Sequence, residues 1–145
     1  MSAMSDYLEN KLVDQIFRGQ TAPTTTTLYI ALYTAAPSDP SATGTEVSGS
    51  NYSRVAVTSS LANWAGTQSA GSTVASSGTG GQTSNNGAIT FPTPSATWGL
   101  VTHFAIYDAT SGGNELFWGA LTISKTINSG DTVSFPAQSL SITFA

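Results

Sequence analysis

The sequence predicts a mainly β chain: an antiparallel β-sandwich, jelly-roll-like or immunoglobulin-like, with a short N-terminal α-helical arm. Three observations predict it. Five of the twelve formal charges, Asp6, Glu9, Lys11, Asp14 and Arg18, fall in the first eighteen residues, and the rest of the chain is nearly uncharged and rich in Ser, Thr and Gly. Beyond that point apolar and other residues alternate in short stretches, which is the period of a strand and not of a helix. Clusters of Gly, Pro, Asn and Asp separate these stretches as turns would. The chain therefore divides into 1–27, an arm with an amphipathic helix and a Thr-rich connector, and 28–145, a β-sandwich domain with a long flexible loop over 65–87.

Composition sets the bounds. A chain of 145 residues makes one domain with a core large enough to need no staples. Only 8% of residues are charged, against roughly a quarter in an ordinary soluble domain, so the surface is hydroxyl and amide or is covered by other chains. The lack of cysteine excludes disulfides, thiolate nucleophiles and cysteine-based zinc sites. A net charge of -4 with only Lys11, Arg18, Arg54 and Lys125 as cations argues against nucleic acid as a partner, since duplex binding rests on clusters of Lys and Arg. No apolar run approaches the roughly twenty residues of a membrane span, and the N-terminus lacks the basic start and apolar stretch of a leader. The expectation is a chain soluble in the cytoplasm that makes it, with no membrane partner.

In the arm, Asp6 followed by Glu9 predicts a capping box and a helix that begins near Tyr7. Leu8, Leu12, Val13, Ile16 and Phe17 share one face, Arg18 suits the C-terminal end, and Gly19 can close the last turn. Three turns of helix are marginal alone in water, so this stripe needs a surface to cover, either its own β body or a neighbouring subunit. Pro23 in the Thr-rich connector blocks continuation of the helix.

The body begins with Leu28 to Tyr33, in which Leu28, Ile30 and Leu32 alternate with Tyr29, Ala31 and Tyr33; a strand apolar on both faces is central or lies under a partner. A turn at Ala36-Pro37-Ser38-Asp39-Pro40 leads through a loop that includes Gly44 and Gly49 to a strand over Tyr52 to Ser59, with Val55 and Val57 inward. Residues 65–87 are Gly, Ser, Thr, Ala, Gln and Asn with Val74 isolated, a composition whose burial cannot offset ordering entropy, and they read as a loop at one end of the sandwich with room for a short hairpin. Ile89 and Phe91 mark a short strand stopped by Pro92 and Pro94. Trp98 reads as a core residue where the next strand starts, and Phe104 and Ile106 face the core. A hairpin turn over Asp108 to Asn114 leads to Leu116 through Ile123, with Phe117, Leu121 and Ile123 on one face, and Asn128-Ser129-Gly130-Asp131 makes the next turn. Leu140, Ile142 and Phe144 alternate to the end of the chain.

No chemistry-bearing constellation stands out. The acids beyond the arm, Asp39, Glu46, Asp108, Glu115 and Asp131, fall in or beside predicted turns where solvent keeps them ionised, so none forms an acid–base pair. His103 is the only imidazole, lies mid-strand without a nearby acid, and no Gly-x-Ser-x-Gly elbow accompanies it. Asp108, Asn114 and Glu115 match no calcium loop, and no P-loop lysine follows Gly78 to Gly81. The chain is expected to be no enzyme and to use no cofactor or metal. Trp64, Trp98 and Trp118 are the aromatic residues a carbohydrate-binding sandwich would stack on sugars, but buried protein interfaces favour the same residues.

Five segments together resemble a family of small tailed-phage virion proteins: Ser5-Asp6-Tyr7-Leu8-Glu9-Asn10-Lys11-Leu12; Leu28 to Tyr33 with Pro37; Gly44-Thr45-Glu46-Val47-Ser48-Gly49 before Tyr52-Ser53-Arg54; Trp98 to Asp108; and Ser129-Gly130-Asp131. The resemblance covers nearly the whole chain outside 65–87. Members are commonly labelled tail fibre proteins, and similar small β-sandwich proteins with arms serve as cement, or decoration, proteins on phage capsids. It implies a non-enzymatic structural subunit of the virion. Because a compact body with an arm suits bridging of capsomers, and 145 residues without an internal repeat make no long shaft, the expected role is capsid cement. Its partners would then be the major capsid protein and further copies of itself as a dimer or trimer, and its place the capsid surface. The alternative is a tail-associated fibre protein that binds carbohydrate receptors. In either role, Leu8, Leu12, Ile16 and Phe17 of the arm, with Tyr29, Tyr33, Arg54 and Trp118 of the body, are the expected interface residues.

Overall fold

The computed structural model describes residues 2–22, 24–37 and 44–144. The turn expected at Ser38-Asp39-Pro40 and the helix-blocking position Pro23 lie outside them. The chain forms β1 (Ser2–Met4), α1 (Asp6–Arg18), β2 (Thr27–Ala35), β3 (Thr45–Glu46), β4 (Val55–Thr58), β5 (Gln82–Ser84), β6 (Ile89–Thr90), β7 (Gly99–Tyr107), β8 (Glu115–Ile127), β9 (Ser134–Phe135) and β10 (Ser141–Thr143). Among the described residues it is mainly β, with antiparallel pairing and one short helix near the N-terminus.

The main sheet runs β1-β8-β7-β2-β3, with β4 beside β3 on the same edge of β2. Its centre is β2 against β7, with Ile30 opposite Ile106, Ala31 opposite Ala105 and Leu32 opposite Phe104. This is the central strand that two-sided apolar alternation predicts, and Ile30 through Tyr33 are all buried. Two short pairs, β5 with β10 and β6 with β9, form the second layer of a sandwich-like fold. Between the layers lie Ile30, Leu32, Phe91, Trp98, Phe104, Ile106, Val133, Leu140 and Ile142, each buried and each stabilising the fold by roughly 1–3 kcal/mol. Trp98 occupies the core as its position implies and donates its indole N–H to the Ser50 carbonyl at 3.0 Å.

Two elements differ from the sequence reading. Ser2–Met4 adds to the edge of β8, with Ala3 opposite Trp118, so the first residues of the arm belong to the main sheet. Three residues are too few to show a period. Within 65–87, Gln82–Ser84 pairs with the C-terminal strand β10, because backbone donors and acceptors supply the ladder that the side chains do not advertise.

Candidate assembly interface

The arm is positioned by its first residue outside the edge strand. Ser5, not Asp6, is the N-cap: its hydroxyl oxygen accepts from the Leu8 N–H at 3.3 Å and the helix begins at Asp6. The third helical position is Leu8, so Glu9 does not complete a capping box. The Ser5 hydroxyl also donates to the Glu115 carbonyl at 2.5 Å, and its N–H donates to the Leu116 carbonyl at 3.0 Å. Ser5 is buried and so pins the helix root to the start of β8. At the far end Gly19 takes φ 67° and returns its N–H to the Asp14 carbonyl, while Arg18 pairs with Asp14 at 3.0 Å.

The helix has one covered end and one bare end. Leu8 and Leu12 are half-buried, but Val13, Ile16 and Phe17 are 50%, 67% and 80% exposed. Apolar residues at i, i+3 and i+4 thus form a stripe that this chain leaves in water. Isolated exposed apolar residues are ordinary; a contiguous stripe on an amphipathic helix marks a contact surface.

Behind the arm root, the face of the main sheet opposite the core carries a buried polar network. Tyr107 donates to a Glu115 carboxylate oxygen at 3.0 Å, so the 2.5 Å contact between the Tyr33 and Tyr107 hydroxyls has Tyr33 as donor. The Arg54 guanidinium lies 3.6 Å from the centroid of the Tyr107 ring. It grips both Glu46 carboxylate oxygens at 2.8 Å and donates to the Ala109 and Gly112 carbonyls at 2.9 Å. Tyr52 donates to Glu46 at 3.0 Å and accepts from the Leu32 N–H. These bonds tie β2, β3, the start of β4, the end of β7, the hairpin after it and the start of β8 into one rigid end.

Burial raises the pKa of Tyr33, Tyr52 and Tyr107 above the usual phenol value, making each a weaker acid; the nearby Glu46 or Glu115 carboxylate adds to the effect. For Arg54 burial opposes the charge, but the hydrogen bonds and charge of Glu46 outweigh it and the net shift is upward. Arg54 and Glu46 are locked as an ion pair, and the network works as a brace.

The expected interface residues therefore separate into groups. Ile16 and Phe17 stand free at the surface, and Leu8, Leu12 and Tyr29 are half-buried. Tyr33, 2% exposed, and Arg54, whose side chain is 7% exposed, are engaged inside the chain, which corrects their placement at the surface. Arg54 does grip a carboxylate and backbone carbonyls as such a residue can, but they are this chain's own. Trp118 packs with Tyr29 beside buried Ala31 and Ala105, and its indole N–H is buried without an acceptor among the described residues.

By sequence, Glu46 and Glu115 look like acids of solvated turns. In the structure Glu46 pairs with Arg54 and Glu115 is 8% exposed. The available signal was Arg54 standing as the lone cation between residues 19 and 124, since a single buried cation needs an acid within reach. Asp108 accepts from the Asn114 backbone at 2.7 Å and from its amide at 2.8 Å, so it closes the hairpin; His103 contacts the Thr102 hydroxyl and lies beside Trp118.

The chain matches the family model described as Podophage GP4 fiber I protein gp80 over residues 3–143. No curated protein matches it.

Proposed function

We propose that this chain, which belongs to the podophage GP4 fiber I protein gp80 family of phage virion structural proteins, is a non-enzymatic subunit of the tail fibre apparatus that acts by burying its surface against other chains. One observation carries the mechanism: a capped helix rooted on a braced sheet presents Val13, Ile16 and Phe17 to solvent. An exposed apolar stripe is unfavourable in water and favourable in a contact, so the arm is the attachment element.

The brace supports this reading from the other side. It fixes the angle at which the arm leaves the body, because Ser5 holds the backbone carbonyl of Glu115 while Tyr107 holds its carboxylate. Scarcity of charge helps as well, since hydroxyls and amides can pair across a contact without the desolvation cost of ions. The family's description names a fibre, which favours the tail role over the capsid cement role that arm-and-body architecture suggests.

The test is to separate disrupted virions into heads and tails and to quantify this chain in each fraction by mass spectrometry. A few copies per particle that follow the tails are expected. Hundreds of copies with the heads would restore the cement role, and absence from the virion would sink the proposal.

A further inference from the structure

The sandwich has an unfilled place. A groove of about 640 Å³ opens beside the distal half of β8, lined by Leu121, Ile123, Phe135 and Leu140 with Val101 and Phe104 at its floor. Three features of the fold create it. The edge strand β1 pairs with β8 only from Phe117 to Gly119, so the edge beyond has no partner strand among the described residues. The register jumps from Val101 opposite Lys125 to His103 opposite Ala120, so residues 121–124 bulge away from the ladder opposite Thr102. The second layer is split into β5–β10 and β6–β9, and the groove lies where β9 and β10 fail to meet. As a result Ile123 is 79% exposed at the mouth of the groove.

The chain's own helix does not reach this groove. It leaves the body at Leu116, whose carbonyl accepts the Ser5 N–H, after β1 has run along β8 from Gly119 to Phe117, so the chain enters the helix heading away from Ile123. Its own Val13, Ile16 and Phe17 are 50%, 67% and 80% exposed, so none of them is seated in the groove.

We infer that the groove receives the helix of a second copy, with Val13, Ile16 and Phe17 of one protomer seated between the bulged segment of β8 and β9–β10 of its partner. The helix stripe and the groove's hydrophobic wall are both left open by the same fold, and Gln82, Thr122, Ser134 and Ser139 give the groove a polar rim. The three helix side chains expose on the order of 350 Å², the scale of the largest apolar patch on a typical monomer, and such a patch is often functional. The charges agree. Lys125 is the single charged residue of the groove lining and has no ion pair among the described residues. Glu9 lies one helical turn before Val13 on the same face, exposed, and likewise has no ion pair among them. Helix-into-groove contact is head-to-tail, so it propagates from copy to copy and either closes into a ring or runs on as a row.

This inference deepens the assembly role proposed above, and it is tested on the purified chain alone, so its outcome does not depend on where in the virion the protein resides. The chain has no cysteine. Phe17→Cys and Ile123→Cys are prepared as separate full-length proteins; both positions are exposed, so folding is preserved. Mixed and oxidised, they should give a disulfide-linked heterodimer, and each alone should give little. Lys125→Glu should reduce the yield severalfold, and Glu9→Lys in the partner should restore it. No heterodimer in the mixture would overturn the inference, and cross-linking of Phe17→Cys with itself would overturn it in favour of helix against helix.

Discussion

Removing the Arg54 guanidinium should lower stability by about 3 kcal/mol. The side chain is 7% exposed and makes two 2.8 Å bonds to Glu46, two 2.9 Å bonds to the carbonyls of Ala109 and Gly112, and a ring contact with Tyr107. Breaking a fully buried pair by removing one partner costs roughly 3–5 kcal/mol, chiefly because the other charge is left uncompensated. Glu46 is 26% exposed and keeps the Tyr52 hydroxyl, so water and that bond recover part of this, and the pair contributes nearer 2 kcal/mol. The freed carbonyls and the lost ring contact add about 1 kcal/mol, since the Gly112 carbonyl is already exposed and rehydrates.

The assay is urea unfolding of the wild type, Arg54→Ala and Arg54→Lys, read as a midpoint shift at constant slope. Arg54→Ala should also melt about 10 °C lower. Arg54→Lys keeps the charge but not the fork, and should lose about half as much. A loss below about 1 kcal/mol for Arg54→Ala would refute the brace, because it would mean that Glu46 rehydrates freely and the hairpin holds without its anchor.

Other outcomes follow from the same geometry. Ser5→Ala removes the helix cap and the bond to the Glu115 carbonyl and should cost about 1–2 kcal/mol, with faster hydrogen exchange confined to the arm. Replacing Val13, Ile16 and Phe17 together with Ser should change unfolding free energy of the isolated chain by less than about 1 kcal/mol, because the chain itself does not bury them, while abolishing its association with other copies in sedimentation. Stability should be flat up to about pH 9 and fall above about pH 10. The unfolded chain there releases the protons of Tyr33, Tyr52 and Tyr107 that the folded chain retains, at up to about 1.4 kcal/mol per pH unit for each. Phenolate absorbance from those three residues should therefore appear with unfolding, and its appearance in the folded protein near pH 10 would contradict their burial.

Much of the fold was legible because two-sided alternation is an unambiguous signal. Leu28 to Tyr33 read as a strand covered on both faces, central or under a partner, and it is central; Gly112-Gly113 and Ser129-Gly130-Asp131 stand at the turns where positive φ is needed. What escaped was structure written in backbone bonds. Ser2–Met4 and Gln82–Ser84 are held by ladder pairing to β8 and β10 and carry no apolar period of their own. The arm was legible as an amphipathic stripe, yet sequence could not show that Leu8 and Leu12 lie toward the body while Ile16 and Phe17 do not, since that division depends on where Ser5 is anchored. The brace was hidden for a related reason: Glu46 and Glu115 look like turn acids in one dimension, and only the lateral order of β3, β2, β7 and β8 brings them to Arg54 and Tyr107.

That the arm is buried against other chains in the assembled particle can be measured directly on phage carrying Phe17→Cys in this protein. Maleimide labelling of that thiol should be slow in intact virions and rapid after the virions are denatured, because the stripe is covered in the assembly. Equal labelling before and after denaturation would show the stripe open to solvent in the virion and contradict the arm's role as the attachment element.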